Sequence, residues 1–215
     1  MKSRIAITIA LLAGFWASVG SAETQPAPSD EDLRTVAEQA CKSVVQNQDL
    51  SADQIDRQAM ETLFAAETAM SSKGGVTEAQ KLLDTLQQKI GPIDAFPKIR
   101  MQFMLGALAG AKGDADKQAW HRKYAVALTH FMEENGTGES AESAVNPCLT
   151  SNEYDWLQFR AELGQPDSQA LVPIKERSYD VFTFKQEKRT VYFDITDIMA
   201  SSMRVLESKA KSGPH

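Results

Sequence analysis

The stretch YDVFTFKQEKRTVYFDI, residues 179–195, decides the fold class of this chain. Two runs of aromatic and β-branched residues, 179–184 and 190–195, flank the polar segment 185–189, and this pattern predicts a β-hairpin. Because side chains alternate along a strand, the second run places three apolar side chains on one face: Val191, Phe193 and Ile195. We therefore expect a small antiparallel sheet near the end of the chain.

The residues around the hairpin extend this sheet. The run QALVPI, residues 169–174, is typical of a strand, and Pro173 favours an edge position because proline cannot donate to a sheet ladder. Thr196 or Asp197 then caps a last helix. Upstream we expect a short extended piece and a short helix, at 145–149 and 151–163.

Apolar residues at helical spacing fill the chain before the sheet. They predict about five helices: 29–47, 51 to the break at 71–75, 77–90, one from 97, and one after 114. Successive pairs would resemble helical hairpins, although no fixed repeat period is present. The predicted fold class is α+β, with an N-terminal helical array, then a small antiparallel sheet with a β-hairpin, and a C-terminal helix.

The fourth and fifth helices are predicted to pack closely together. Gly106 and Gly110 lie on the fourth helix, where a glycine costs about 1 kcal/mol relative to alanine. A neighbouring helix at close range explains both glycines. The fifth helix offers a continuous apolar stripe, which favours a core face over a ligand site: Trp120, Tyr124, Leu128 and Phe131.

The first 22 residues have the order of a secretory signal peptide. Lys2 and Arg4 precede an apolar run at 5–19, and small residues at 20–22 precede a polar segment. The alternative is a membrane anchor, but the run is shorter than the roughly 20 residues that a spanning helix needs. We expect cleavage after Ala22, no lipid anchor because no cysteine stands there, and a location in the periplasm or outside the cell.

The chain divides into five predicted segments. These are a signal peptide (1–22), a disordered leader (23–28), a helical region (29–134), a small α+β region (135–208) and a tail (209–215).

The charge of the chain disfavours two classes of partner. The formal net charge is −6, and removal of Lys2 and Arg4 with the signal peptide makes it 21 − 29 = −8. Nucleic acids and anionic membranes both attract basic patches, and no cluster of Lys and Arg with aromatic residues is present. We expect no nucleic-acid partner and no stable membrane insertion after cleavage.

Cys41 and Cys148 are the two cysteines of the chain. In an oxidising compartment two cysteines most simply form a disulfide. A metal site or a catalytic thiol is the alternative, but neither cysteine has a CxxC partner or a nearby histidine. We predict a Cys41–Cys148 disulfide that ties the first helix to the loop where helices give way to the sheet.

Motifs for metal, cofactor and nucleophilic chemistry are absent from the sequence. His121 and His130 are nine residues apart, about 900° of helix rotation, so they point to opposite faces, and we expect surface histidines. The chain has no HExxH motif, no GxSxG elbow and no dinucleotide fingerprint. We predict no catalytic residue, no metal site and no cofactor.

Three acidic residues near the hairpin are the remaining candidates for chemistry. Asp180 and Asp194 are expected to be near cross-strand partners, and Asp197 follows the second strand. Two carboxylates that share a cleft can perform acid–base chemistry. The alternative, which we favour, is a solvated sheet face with Asp197 as a helix cap.

Short motifs late in the chain recur in a known order. They are GTGESAESA (136–144), EY (153–154), QAL (169–171), YDV (179–181) and YFDI (192–195). They cover roughly the last third of the chain. This region resembles the C-terminal half of an exported bacterial family of unknown function (DUF4919). The resemblance implies a similar architecture and an envelope location, and it implies no activity.

Three functions are compatible with these observations. The first is a non-catalytic envelope protein that binds a protein or peptide, because a helical array has grooves and a hairpin edge can pair with a strand. The second is a hydrolase of envelope polymers that uses the carboxylates near the hairpin. The third is a carrier of a small ligand, with a pocket between the fifth helix and the sheet. We favour the first, and a non-enzymatic role with it.

Overall fold

The computed structural model describes residues 29–212 of the chain. The predicted signal peptide (1–22), the leader (23–28) and the last part of the predicted tail (213–215) lie outside the described residues. The helices are α1 Asp30–Val45, α2 Ala52–Met70, α3 Gly75–Ile90, α4 Ile99–Ala111, α5 Ala115–Met132, α6 Ser151–Phe159 and α7 Thr196–Ser212. The strands are β1 Ser168–Ile174, β2 Arg177–Phe184 and β3 Arg189–Asp194. This order confirms the predicted α+β class.

The first two helices begin where the sequence predicts, because each starts with a capping box. Ser29 Oγ accepts a hydrogen bond from the Asp32 backbone N–H (3.2 Å), and the Asp32 carboxylate accepts one from the Ser29 N–H (3.0 Å). Ser51 and Gln54 repeat the arrangement at α2. Within residues 29–212, no helix is long and apolar enough to cross a bilayer.

The largest differences from the sequence prediction are at three places. The expected extended piece at 145–149 is reduced to Val145, which forms an isolated parallel bridge with Phe193. The helix expected to run to 163 ends at Phe159. The last helix continues to Ser212, beyond position 208, where the sequence predicts a frayed tail.

The close approach of α4 and α5 is confirmed at both glycines. A Cβ added to Gly106 would lie 3.4 Å from the Cβ of His121, and one added to Gly110 would lie 2.4 Å from the Gln118 side chain. A Cβ at Gly106 would be in van der Waals contact with α5, whereas one at Gly110 would require the Gln118 side chain to move. The glycines therefore bring the two helices close enough to bury the residues between them.

The sheet is antiparallel, with the strand order β1–β2–β3. One face packs on the core through buried side chains: Phe182, Phe184, Val191 and Phe193. Helix α6 covers this face, because Trp156 meets Phe193 edge to face at 5.6 Å between ring centroids, and Tyr154 meets Phe182 at 5.4 Å. Helix α6 therefore joins the sheet to the helical array.

The two cysteines lie close together, although 107 residues separate them in sequence. Cys41 belongs to α1, and Cys148 is fully buried just before α6. Their Cα atoms are 5.2 Å apart, within the usual range for a disulfide, and their Sγ atoms are 2.15 Å apart. The predicted pairing is compatible with this geometry, and it links α1 to the segment that leads into α6.

Candidate functional site

The sheet has one covered edge and one open edge. At the covered edge, the Tyr192 N–H donates to the Gly138 carbonyl (2.9 Å), and the Val145 N–H donates to the Tyr192 carbonyl (3.0 Å). The segment 138–145 therefore occupies the outer side of β3. At the other end of the sheet, β1 has β2 as its neighbour and, within residues 29–212, no strand on its outer side.

Both faces of β1 are open as well as its edge. Residues 168–171 are exposed, Val172 and Ile174 are half-buried, and the Leu171 side chain is 57% exposed. Pro173 lies in this edge strand, as the sequence predicts. An edge strand presents a row of unpaired backbone N–H and C=O groups, which is a template for another strand.

Helices α2, α4 and α6 carry a strip of exposed aromatic side chains, one of which contacts β1. We define this aromatic strip as Phe64 of α2, Phe103 of α4, and Tyr154 and Phe159 of α6, which are between 39% and 53% exposed. Aromatic residues are enriched in the buried centres of protein interfaces. A cluster of this kind on a monomer indicates a surface that another molecule covers.

Residues of α4 contact two other members of the aromatic strip, Phe159 and Phe64. The rings of Phe103 and Phe159 meet edge to face at 5.1 Å between centroids. The Arg100 guanidinium lies 5.1 Å from the centroid of the Phe64 ring, and two hydrogen bonds of 2.7 Å to the Glu67 carboxylate fix its position.

The aromatic strip also reaches β1. The Tyr154 hydroxyl donates to the Gln169 side-chain oxygen at 2.7 Å, and Gln169 belongs to β1. Tyr154 and Phe159 are both exposed on α6, about 140° apart around the helix. Tyr154 therefore connects the aromatic strip to β1, whereas Phe159 contacts Phe103 of α4.

The three acidic candidates do not converge. Asp180 pairs with Phe193 across the strands, whereas Asp194 pairs with Tyr179, so a one-residue offset places the two carboxylates on opposite faces of the sheet. They are near cross-strand partners in register, as expected, but they do not share a face of the sheet. Asp197 is exposed in the first turn of α7, where a carboxylate suits the helix dipole.

Each of the two sheet carboxylates has its own partner. The Gln169 side-chain amide donates to Asp180 on the core face. On the other face, Asp194 forms an ion pair with Arg177 (2.8 Å) and accepts a hydrogen bond from the Thr196 hydroxyl (2.5 Å). The Asp194 contacts join the end of β3 to the start of β2 and to α7, which is a structural role.

Sequence reasoning missed that Asp180 lies beside a second, buried carboxyl. Glu153 of α6 is fully buried, and neither of its carboxyl oxygens has a hydrogen-bond partner within residues 29–212. Burial, and then the charge of Asp180, raise the pKa of Glu153 well above its usual value. Glu153 therefore keeps its proton to a higher pH than an exposed glutamate does. The only sequence signal was an acid at the core-facing position of a short helix.

A second set of buried polar side chains links α2 and α6 to the start of α4. The ammonium of Lys98 donates to Ser151 Oγ (2.5 Å) and lies 3.2 Å from the Asp155 carboxylate. Ser151 in turn donates its hydroxyl to Asp56 (2.5 Å) and its backbone N–H to the same carboxylate (2.8 Å). Because Ser151 donates both its hydroxyl and its backbone N–H to Asp56 and accepts from Lys98, the arrangement fixes the start of α6 against α2.

The histidines of α5 differ from the sequence expectation. His130 is exposed, as expected, but His121 is fully buried. The reason is Gly106, which lets α4 approach the Cβ of His121. Within residues 29–212, no three His, Cys, Asp or Glu side chains lie together as a metal site requires.

The aromatic stripe of α5 is part of the core, as its spacing predicts. Tyr124 is fully buried, stacks on Trp120 and donates its hydroxyl to the Ala95 carbonyl at 2.8 Å. Helix α5 packs mainly against α4 and α1. The stripe therefore faces other helices, and these contacts give no support to a ligand pocket between α5 and the sheet.

Comparisons of this chain with protein-family models, with curated proteins and with solved structures found no match.

Proposed function

We propose that this is an exported, non-catalytic protein that binds another protein by taking up one of its extended segments beside β1. The open outer edge of β1 carries the proposal. Strand addition satisfies backbone groups that are otherwise left to water, and it supplies affinity through main-chain hydrogen bonds. The covered edge at β3 leaves β1 as the side on which this sheet can grow.

The side chains around β1 define the partner segment. Leu171 is largely exposed, and Val172 and Ile174 are half-buried. A partner strand beside β1 therefore buries the most apolar surface if it carries apolar residues on both faces. Tyr154 of the aromatic strip contacts β1 through Gln169, and Arg100 contacts Phe64 of the same strip. Aromatic and arginine side chains are frequent energetic centres of protein interfaces, so we expect the partner to extend over α6.

Export is supported by two features of the chain. Residues 1–22 have the pattern of a cleavable signal peptide, and Cys41 and Cys148 have geometry compatible with a disulfide, which persists in oxidising compartments. The resemblance of residues 136–195 to the exported family DUF4919 agrees with this location and stays a prediction.

The hydrolase alternative has less support. Acid–base catalysis needs two carboxylates at one cleft, and the sheet separates Asp180 from Asp194. Asp180 does have a carboxyl neighbour in Glu153, but that side chain is fully buried, out of reach of a polymer.

Selection from a random peptide library, displayed on phage and panned against the exported full chain, tests the proposal. We expect the selected peptides to be rich in β-branched and aromatic residues. Hydrogen exchange measured by mass spectrometry should then show that the selected peptide slows exchange of the backbone amides of 168–174, because its strand covers the outer edge of β1.

A matched pair of surface variants distinguishes strand addition from nonspecific binding to exposed apolar residues. Leu171→Lys places a charge beside the edge and should weaken peptide binding by about tenfold or more. Val126→Lys changes a similarly exposed apolar residue (53%) on α5, away from β1, and should leave binding unchanged. If a selected peptide binds both variants equally, or protects amides outside 168–174 only, the proposal is wrong.

A further inference from the structure

A cavity of about 410 Å³ lies between α3, α4 and α5, away from β1. Apolar side chains of α4 and of the segment before it form part of its wall: Ile93, Leu105, Leu108 and Ala109. Charged side chains also line it: Asp94, Lys112, Asp114 and Lys117. His121, fully buried, is a further lining residue. The volume lies in the lower part of the usual range for small-molecule sites.

The hydrogen bonds of Gln102 fix the tautomer of His121. The Gln102 amide nitrogen donates to the Phe96 carbonyl (2.8 Å), so its side-chain oxygen is the group that meets His121 Nδ1, at 2.7 Å. An amide oxygen accepts only, and Nδ1 must therefore carry the proton. Burial lowers the pKa of His121 to about 4, so the ring is neutral at pH 7. His121 Nε2 is consequently a bare acceptor.

His121 Nε2 has no hydrogen-bond partner within residues 29–212. A buried acceptor without a partner destabilises a protein, and native proteins leave few of them. Here the unpartnered atom belongs to a residue that lines a cavity. A ligand that supplies an N–H or O–H donor would satisfy it.

The charges that line the cavity are balanced. Lys117 forms an ion pair with Asp94 (3.1 Å), and Lys112 donates to the Gln80 side-chain oxygen (2.5 Å). Asp114 accepts from the Lys117 backbone N–H at the start of α5 (2.9 Å). Two ammonium groups and two carboxylates therefore lie around one space. A simple anion or cation would meet repulsion from one pair, whereas a molecule with both charges can satisfy both.

We propose that this cavity binds a free amino acid. The ammonium group of the ligand donates to His121 Nε2 and faces the carboxylates of Asp94 and Asp114. The carboxylate of the ligand replaces Asp94 as the partner of Lys117, and it replaces Gln80 as the partner of Lys112. An apolar ligand side chain packs on Leu105 and Leu108.

Nuclear magnetic resonance of the full chain with ¹⁵N-labelled histidine tests the site, with the twenty free amino acids as probes. An unprotonated imidazole nitrogen shifts strongly when it accepts a hydrogen bond, so a bound amino acid should shift the Nε2 signal of His121 and leave that of His130 unchanged. For an apolar amino acid such as leucine, two analogues lack one charge each: 3-methylbutylamine and 4-methylpentanoate. Both should bind at least about tenfold more weakly, since each leaves one charged pair unsatisfied.

Variants distinguish this site from adventitious binding. Lys117→Ala should weaken amino-acid binding by about tenfold, while Lys123→Ala, an exposed lysine of the same helix outside the cavity, should not. Both positions are exposed, so folding should be preserved in each. The proposal is overturned if no amino acid at millimolar concentration moves the His121 signal, if an analogue lacking one charge binds equally well, or if both variants lose binding alike. Peptide binding at β1 is measured in a separate experiment. Loss of the amino-acid site would therefore not contradict the proposed function, and a failure of peptide binding would not contradict the amino-acid site.

Discussion

Lys98 and Asp155 form an ion pair inside the protein, with Nζ and Oδ2 3.2 Å apart and the Lys98 side chain fully enclosed. Taking the two charges out of water is costly, and the pair persists because Ser151 and Asp56 complete the hydrogen bonds around the ammonium and the hydroxyl. Burial raises the pKa of Asp56, and the charge of Lys98 opposes that rise. One lysine thus balances two carboxylates at the junction of α2, α4 and α6.

Removing this lysine should destabilise the protein strongly. Lys98→Met keeps most of the side-chain volume but leaves buried carboxylates without a counter-charge, so we expect a loss of about 3–5 kcal/mol in the free energy of unfolding at pH 7. Urea denaturation followed by circular dichroism measures it. Lys42→Met removes an exposed lysine paired with Glu38 and should change stability by less than about 1 kcal/mol. Equal effects of the two variants would contradict the assigned role of Lys98.

Glu153 should make the stability of the protein fall as pH rises. Its pKa is raised above the usual 4.5 in the folded state, so the folded protein keeps a proton that the unfolded chain releases. The stabilisation is complete below pH 4.5 and is lost as pH increases through the folded-state pKa. Glu153→Gln cannot ionise and should gain stability relative to the wild type above pH 4.5, by up to about 1.4 kcal/mol per pH unit.

Denaturant unfolding of both proteins at several pH values measures the Glu153 effect. Glu61→Gln, at an exposed position of α2, serves as the control and should show no comparable pH-dependent difference. A constant difference between Glu153→Gln and the wild type across the pH range would show that folding does not raise the pKa of Glu153.

Local sequence patterns predicted the helices and strands. The candidate site depends instead on which distant residues the fold brings together. The capping boxes at Ser29 and Ser51 and the alternation along 190–195 are encoded by neighbours in the sequence, so the helix starts and the hairpin were predictable. The strand register was not, and it alone separates Asp180 from Asp194. A shift of one residue exchanges the faces of a strand, and composition carries no information about it.

Local sequence patterns did not predict the contacts of the buried polar groups either. Lys98 meets residues more than fifty positions away, and the burial of His121 depends on Gly106 in another helix. The sequence did show that Gly106 needs a close neighbour, but not which side chain it would enclose. The open edge of β1 was partly predictable through Pro173, since proline is compatible with an edge strand.

Reduction of the Cys41–Cys148 pair should lower stability substantially. The bond would close a loop over a sequence separation of 107, which corresponds to about 4–5 kcal/mol in the chain-entropy treatment. Urea unfolding of the exported protein with and without a reductant measures the difference. A Cys41→Ala/Cys148→Ala variant should match the reduced protein and be insensitive to the reductant. An unchanged midpoint on reduction would show that the two thiols are not bonded in the exported protein.

Gly138 should be the residue that keeps the covered edge of the sheet closed. Its φ of +83° is in the region that favours glycine, and an added Cβ would lie 2.8 Å from Val191 Cγ1. Gly138→Ala should therefore cost about 2–3 kcal/mol, because strain and overpacking act together. Gly113→Ala is the matched control, since Gly113 has a φ of +80° with nothing within 4 Å of an added Cβ, and it should cost only about 1 kcal/mol.

Displacement of the segment 138–145 in Gly138→Ala would also uncover β3. Hydrogen exchange at the Tyr192 amide, which donates to the Gly138 carbonyl, should accelerate in Gly138→Ala and stay slow in Gly113→Ala. With two open edges, the sheet of Gly138→Ala should self-associate more readily than the wild type, which sedimentation velocity detects. Equal exchange at Tyr192 in both variants would show that the clash at Val191 is relieved without moving the segment, and that the edge is held closed by Val145 instead.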